Sequence, residues 1–424
     1  MSTPQTSTRS TTRRLASFLK AGVTHALTGS TRYYAWLAAL AIGIVLGLYT
    51  YAQQVQHGLI ITSARHLNPW ATLAYAQFPF FDGIAAGAIV VVAIAYVYAR
   101  PDFESVAVFG WALAVSGAIV SIASVLSMLG SLERLVYIFP IVGTPNFPMS
   151  MLPWDVVVLN GFLLVALVVP GYVLFKRYHG ERPHPWVRYG AYLAVAGALA
   201  LQAVVAAIII VNPIRSLWYT ALMVPRFITS AAAAGSALAI LVLLAIRRSA
   251  SGALALTDID IEDRTLSTLG HVVVIALAVN VFAVLSEIFM LTWTGTEHGL
   301  TMQYLLFGLD HAGTTYNMLT PVMWLSIALE VGALLLLLHP RARRHIRTLS
   351  IGAGAAFLGV FLEKGVILFI SVFVVSPLGE VYEPSFTVPE VVMAGAMWAL
   401  GALVFTLLAK AAIGIRTRDS AENF

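Results

Sequence analysis

The chain has no cysteine among its 424 residues. It can hold no disulfide and no cysteine-ligated iron–sulfur cluster, so any electron carrier it works with is organic, haem-based or on a partner. Charge is scarce too: 11% of residues are Asp, Glu, Lys or Arg, against roughly 25% in ordinary soluble domains. Also missing is a histidine pair suited to haem. The ten histidines, at 25, 57, 66, 179, 184, 271, 298, 311, 339 and 345, lie in loops or near the ends of apolar runs. A di-haem cytochrome b anchor needs buried axial ligands, and that layout is absent. His298 and His311 could share an outer-face metal ion, but no zinc-like spacing surrounds them.

Apolar residues dominate instead: 59% of the chain is hydrophobic, and its mean hydropathy is +0.85. A chain of this length and bias is an all-α integral membrane protein with several spans. Ten runs are long enough to cross a bilayer: 33–56, 75–99, 106–129, 154–175, 187–211, 222–246, 270–294, 317–338, 349–375 and 390–413. The pI of 9.4 would suit a nucleic-acid binder, yet the basic residues sit in short loops between these runs. Twenty Lys and Arg residues fall on the side of the termini, and four (Arg65, Arg134, Arg215 and Arg226) on the other. The positive-inside rule then makes both termini cytoplasmic, and no nucleic-acid partner is expected.

The expected organisation follows from these runs. Residues 1–30 are a flexible, partly amphipathic cytoplasmic tail, with no cleavable signal after the TRRLASFLK stretch. Membrane helices 1–6 occupy 31–248, and 249–268 is a cytoplasmic connector, acidic near its end. Helices 7–10 occupy 269–415, and 416–424 is a cytoplasmic tail. The opposite-side loops NPW (68–70), GTPNFP (143–148), GTEHGL (295–300), FGLDHAG (307–313) and GEVYEP (379–384) are rich in Gly, Pro and aromatics, as packed lids or docking surfaces are.

Ionisable side chains within apolar runs are costly in lipid and should face protein, water or a ligand. Asp82 and Glu287 each lie seven residues inside an outer helix end, about 10 Å deep at 1.5 Å per residue. Asp155 and Arg226 should lie about one turn below the same surface. Glu330 and the adjacent Glu363 and Lys364 lie deeper. Neighbours on a helix point about 100° apart, so Lys364 is expected to pair with Glu330 or Glu287 rather than with Glu363. Either a buried ion pair that sets helix register or a link in a proton path would explain them. Asp155 and Asn160 face apart on a regular helix. Asp155 is therefore expected in a ligand pocket and Asn160 in interhelical hydrogen bonding. Gly83 and Gly87 form a GxxxG pair, which usually means close helix packing.

At these residues the chain resembles a known family. NFPMSMLPWDVVVLNGFLLVALVVPGYVL (146–174), VPRFITSAAAAG (224–235) and LEKGVILFI with SPLGEVYEPSFTVPE (362–370 and 376–390) resemble the NrfD/polysulphide-reductase membrane subunits. The nearest branch is the ten-span DsrP-like subunits of sulphite-reduction-associated complexes. TRYYAWLAAL (31–40) and the region from NPW to FPFFDGIAAG (68–87) fit more loosely. The chain departs from the pattern at SMLGSLERLVY (127–137) and at Asp82. The resemblance implies a subunit in the inner (cytoplasmic) membrane that binds menaquinone or ubiquinone near the outer face. It also implies electron exchange with an extracytoplasmic ferredoxin-like iron–sulfur subunit, alongside a further catalytic or cytochrome subunit. Asp155, Asn160 and Arg226 carry over as quinone-side candidates, and Glu363–Lys364 matches the family's EKG element.

The reading is thus a non-autonomous quinone-interacting subunit of an oxidoreductase, with no haem or iron–sulfur cluster of its own. Asp155, Asp82 and Glu287 would handle the quinol protons, Arg226 or His57 would bond the quinone oxygen, and Glu330, Glu363 and Lys364 would extend a proton path. A secondary ion-coupled transporter and a passive anchor without a quinone site are the alternatives.

Overall fold

A computed structural model describes residues 5–65, 68, 70–139, 141–249, 259–293, 299–376 and 379–422. Among the described residues, ten helices are long and apolar enough to span a membrane. Spans 1–5 are Thr31–His57, Leu73–Val97, Ala107–Leu126, Met151–Tyr178 and Trp186–Ile210. Spans 6–10 are Met223–Ser249, Asp263–Trp293, Thr320–Leu338, Ile346–Phe373 and Val388–Arg416. Each apolar run read from the sequence is one of them. The largest difference is the start of span 7, at Asp263 rather than 270. Asp263 supplies the first-turn acid that suits a helix N-terminus and pairs with Arg247 at 2.6 Å. Of the expected connector, 250–258 lie outside the described residues, Ile259 and Ile261 are buried, and 263–268 are already helix.

The spans form a centre and a rim. In spans 2, 3, 6 and 9, between 67% and 72% of the most apolar window is buried, against 11% in spans 1 and 10. Polar groups on the inner four helices therefore cannot reach solvent or lipid headgroups and must satisfy one another. Small residues let these helices close up, as expected for the GxxxG pair. Gly87 of span 2 lies directly against the backbone of Ala231 and Gly235 in span 6, where no Cβ would fit.

The N-terminal segment departs from the flexible tail expected of it. Gln5–Leu27 is a helix, because Phe18, Gly22 and Ala26 recur every four residues and give it one docking face. Phe18 packs edge-on against Phe175 and Tyr178 of span 4, at 5.6 and 5.8 Å between centroids, and Gly22 faces Ile415 of span 10. Arg14 pairs with Glu181 in the loop after span 4, and Lys176 holds the same carboxylate at 2.5 Å.

Hydrogen bonds from Lys176 and then Arg14 hold the Glu181 carboxyl down at about 2, below its ordinary 4.5. A carboxyl lowered by docking stabilises the docked state above its free value and stops doing so as pH falls through its docked value. Lys176 lowers Glu181 whether or not the helix docks, so docking adds only the Arg14 part: that contribution is full at neutral pH and is lost as the carboxyl protonates in the acid range, completely once pH falls below about 2. With no native cysteine, spin labels at Ser17→Cys and Arg182→Cys can follow the distance directly. A short distance that lengthens only in the acid range, and at neutral pH in Glu181→Gln, is the expected result; acid-insensitive docking would exclude this latch.

On the face away from the termini, the loops fold back onto the bundle. Trp218, in the segment before span 6, donates its indole N–H to Leu368 O of span 9 at 2.8 Å, and Arg215 donates to Val372 O at 2.8 Å. Trp70 stacks on Trp218 at 6.2 Å. A short helix, Leu300–Phe307, and a hairpin, Leu309–His311 with Thr314–Tyr316, follow span 7. Glu383 ties them down, accepting from Tyr304 Oη at 2.9 Å and from the Met318 backbone N–H at 2.6 Å. Glu390 accepts from Ser63 Oγ at 2.6 Å. Asn68 is thus packed inward, whereas the loops 307–313 and 379–384 stay largely exposed and are held by the contacts of Glu383. Most of GTEHGL lies outside the described residues.

Candidate functional site

Four spans converge on one buried polar cluster. Arg226, in the first turn of span 6, donates through Nε to Glu363 Oε1 at 2.6 Å, with Nη2 also 2.5 Å from that oxygen. Its Nη1 pairs with Glu287 of span 7. Asn280, two turns from Glu287 on the same helix, donates its side-chain amide to Glu330 Oε2 at 2.9 Å and to Glu363 Oε2 at 3.0 Å. Ser326 of span 8 donates to Gly359 O at 3.0 Å and lies 3.5 Å from Glu330 Oε1. A Cβ on Gly359 would stand 2.7 Å from Glu330 Cγ, so glycine there makes room for the acid.

Glu363 and Lys364 open a π-helical turn, Glu363–Ile367, inside span 9. Such turns inside α-helices often mark functional sites. The wider turn sends the two side chains to different partners. Lys364 Nζ donates to Gln202 Oε1 of span 5 at 2.9 Å and to Phe227 O at 3.4 Å, and lies 3.9 Å from the centroid of the Phe227 ring. A Cβ on Gly83 would come within 3.3 Å of the ammonium. Lys364 therefore does not pair with Glu330 or Glu287 as the sequence suggested; Arg226 takes the acidic partner there. Arg226 also sits deeper than one turn below the surface. Span 6 starts below the re-entrant Trp218 segment, so its first turn lies level with the interior of span 9.

On the other side of Lys364, Asp82 of span 2 is fully buried, with no hydrogen-bond partner for either oxygen among the described residues. Ser121 stands beside it, short of hydrogen-bond geometry. Lys364 and Asp155 are the charged groups within its electrostatic reach, and Tyr75 lies within reach of both Asp82 and Asp155. Asp155 is buried in span 4, and its Oδ1 has no partner among the described residues. The structure thus gathers Asp82, Asp155, Arg226, Glu287, Glu330, Glu363 and Lys364 into one region.

Two candidates stand apart from this region. Asn160 is exposed and donates at 2.7 Å to Val156 O of its own helix, so it makes no interhelical bond. The 140° that separates it from Asp155 turns it outward. His57 is exposed at the end of span 1, its ring bonded to Gln53 O at 2.9 Å, on a rim helix away from the cluster. Gln202 and Asn280 were missed, although each is a lone amide in a long apolar run and the cost of burying it was legible.

Above the cluster lies an aromatic layer. Phe369 packs against Tyr75 at 5.9 Å, Phe78 at 5.5 Å and Trp218 at 5.1 Å. Over that layer opens a vestibule of about 480 Å³ lined by Arg65, Asn68, His311, Phe373, Glu380 and Tyr382. Asn68 Oδ1 is buried without a partner among the described residues. Arg65 donates to the carbonyls of Thr62 and Ala64 at 2.8 and 2.7 Å. Among the described residues no group of three or more His, Asp or Glu is placed to hold a metal ion; His298 lies outside them.

Comparison with known proteins agrees with this architecture. The chain is 27% identical over 351 residues to a putative dimethyl sulfoxide reductase membrane subunit of Halobacterium salinarum, covering 77% of this chain and 75% of that protein. It is also 27% identical over 206 residues to the Hdr-like menaquinol oxidoreductase integral membrane subunit of Archaeoglobus fulgidus, covering 49% of each. The profile of the family described as polysulphide reductase, NrfD, matches residues 61–376, which hold the whole polar cluster and Arg65, Asn68, His311 and Phe373 of the vestibule lining. The chain belongs to the NrfD polysulphide reductase family of membrane subunits.

Proposed function

We propose that this chain is the quinone-exchanging membrane subunit of a multi-subunit oxidoreductase in the cytoplasmic membrane, with both termini in the cytoplasm. The observation that carries the reading is the buried cluster of Arg226, Glu287, Glu330, Glu363 and Lys364. Ionisable groups at that depth are costly, and they are kept where protons or charges are handled. The name of the archaeal menaquinol oxidoreductase subunit supports menaquinone or ubiquinone as the partner molecule. Its headgroup would enter at the loop-rich face, where the vestibule offers Arg65, His311 and Tyr382. Asp155, beside Tyr75, is the nearby carboxylate with an unpartnered oxygen and would take up or release the quinol proton. Asp82 and Lys364 would continue the path inward.

An iron–sulfur partner would dock on the same face. The segment between spans 3 and 4 exposes Tyr137, Phe139, Ile141, Val142, Phe147 and Met149, an apolar run of the kind that interfaces cover. A further catalytic or cytochrome subunit would complete the assembly.

Purification in mild detergent from the native host tests this directly, by mass spectrometry of extracted quinone and by iron content of co-purifying proteins. Bound quinone together with an iron-containing partner is the expected result. An iron partner without quinone would leave a passive anchor, and neither would point to the transporter.

A further inference from the structure

The described cluster contains more acid than base. Asp82, Asp155, Glu287, Glu330 and Glu363 are all buried, against Arg226 and Lys364. Fully ionised, these groups would leave three negative charges within the bundle, which a low-dielectric interior does not tolerate. Protons must therefore sit on several of the acids, and contacts decide which. Arg226 touches Glu287 and Glu363, while no salt bridge reaches Asp82, Asp155 or Glu330 among the described residues.

Of those three, Glu330 has the most informative surroundings. The groups around it are Asn280 from span 7, Arg226 from span 6, Glu363 from span 9 and Ser326 from its own helix. Lys364 is turned away toward Gln202. One amide nitrogen, Asn280 Nδ2, lies 2.9 Å from Glu330 Oε2 and 3.0 Å from Glu363 Oε2, so the two carboxyls stand side by side. Two like charges sharing a buried site are costly, and a proton on one removes the repulsion. The Arg226 guanidinium on Glu363 favours the anion there and leaves the proton on Glu330.

We propose that Glu330 is the proton-holding member of a carboxyl pair with Glu363, positioned by Asn280, and that it can be reached from the lipid between spans 7 and 8. A crevice lined by Val281, Leu285, Ser326, Ile327, Glu330 and Glu363 has a rim at Leu285, which is 50% exposed on the flank of span 7. This pair deepens the proton-handling part of the reading above, but needs no quinone to be tested.

The first measurement is the infrared C=O stretch of protonated carboxyls in the purified chain, with hydrogen–deuterium exchange. One band should vanish in Glu330→Gln and persist in Glu287→Gln. Asn280→Ala should shift its frequency without removing it, since that amide sets the hydrogen bonding of the pair. Retention of every band in Glu330→Gln would overturn the protonation assignment. Glu330→Asp, which should move the band rather than delete it, guards against a misfolded variant.

The second measurement is labelling by a lipid-soluble carbodiimide. The carboxyl O–H adds across one C=N bond: oxygen bonds the central carbon and the proton goes to nitrogen. Nothing leaves, and an O-to-N acyl shift then fixes the adduct. A single adduct at Glu330, absent in Glu330→Gln, is expected. Labelling of Glu287 or Glu363 instead, or no labelling at all, would overturn lipid-side access, whatever the infrared shows about the proton. Either measurement can fail while quinone still co-purifies, so the two readings fall separately.

Discussion

Arg226→Leu should destabilise the protein by about 3–5 kcal/mol, the scale seen when one partner of a buried ion pair is removed. The guanidinium spans Glu287 and Glu363, so its loss strands two buried carboxylates from two different spans. Glu287 would keep no partner at all, because its Oε1 already has none among the described residues. Thermal or denaturant unfolding in mild detergent would show a large loss, or no folded protein would accumulate.

A charge explanation also predicts the rescue. Combining Arg226→Leu with Glu287→Gln and Glu363→Gln removes the stranded charges, and replacing whole buried ion pairs by neutral groups is often close to neutral. The triple variant should therefore be more stable than the single one. Arg226→Lys should fall between, since one ammonium cannot reproduce a planar fork that reaches two carboxylates. A single variant as stable as the parent would mean that the cluster does not hold spans 6, 7 and 9 together.

Asp155→Asn should abolish quinol-linked turnover while leaving assembly unchanged. A positioned group that takes or gives a proton contributes about 10²–10⁴-fold, and turnover should fall by that range. Asn has the same shape as Asp, and Asp155 Oδ1 makes no hydrogen bond with the described residues, so the helix packing has little to lose. Quinol analogue oxidation by the purified complex, with subunit stoichiometry as control, separates the outcomes. Unchanged turnover would remove Asp155 from the proton-handling route. Lost turnover with subunits missing would mark a structural role instead. Asn160→Ala is the internal comparison: five residues along the same helix, on its exposed face, it should change neither.

Most of the fold was legible because bilayer thickness imposes a length and the absence of water imposes a composition. Each apolar run therefore became one helix, and their ends shifted only where local chemistry intervened, as at Asp263. The candidate acids were legible for a related reason: Asp82, Glu287, Glu330 and Glu363 stand out in runs that are otherwise largely apolar. Gln202 and Asn280 obey the same rule at lower cost, and so were easier to pass over. The N-terminal helix was hidden because its docking face is only Phe18, Gly22 and Ala26 within a Ser- and Thr-rich segment.

Pairing was not legible. A single helix shows which residues share a face, but not which face of which neighbour it meets. The partner of Lys364 depended on a π turn that rotates Glu363 and Lys364 apart, and the depth of Arg226 on a loop that dips inward to Leu368. Residue order and composition were enough to establish a membrane protein of ten spans carrying buried charge, because lipid penalises every alternative for such a chain. It took the packing of the helices to establish that Arg226 rather than Lys364 neutralises the acids, and that Asn160 and His57 stand apart from them. Those outcomes rest on contacts of about 3 Å between helices distant in sequence, which no pattern along one chain encodes.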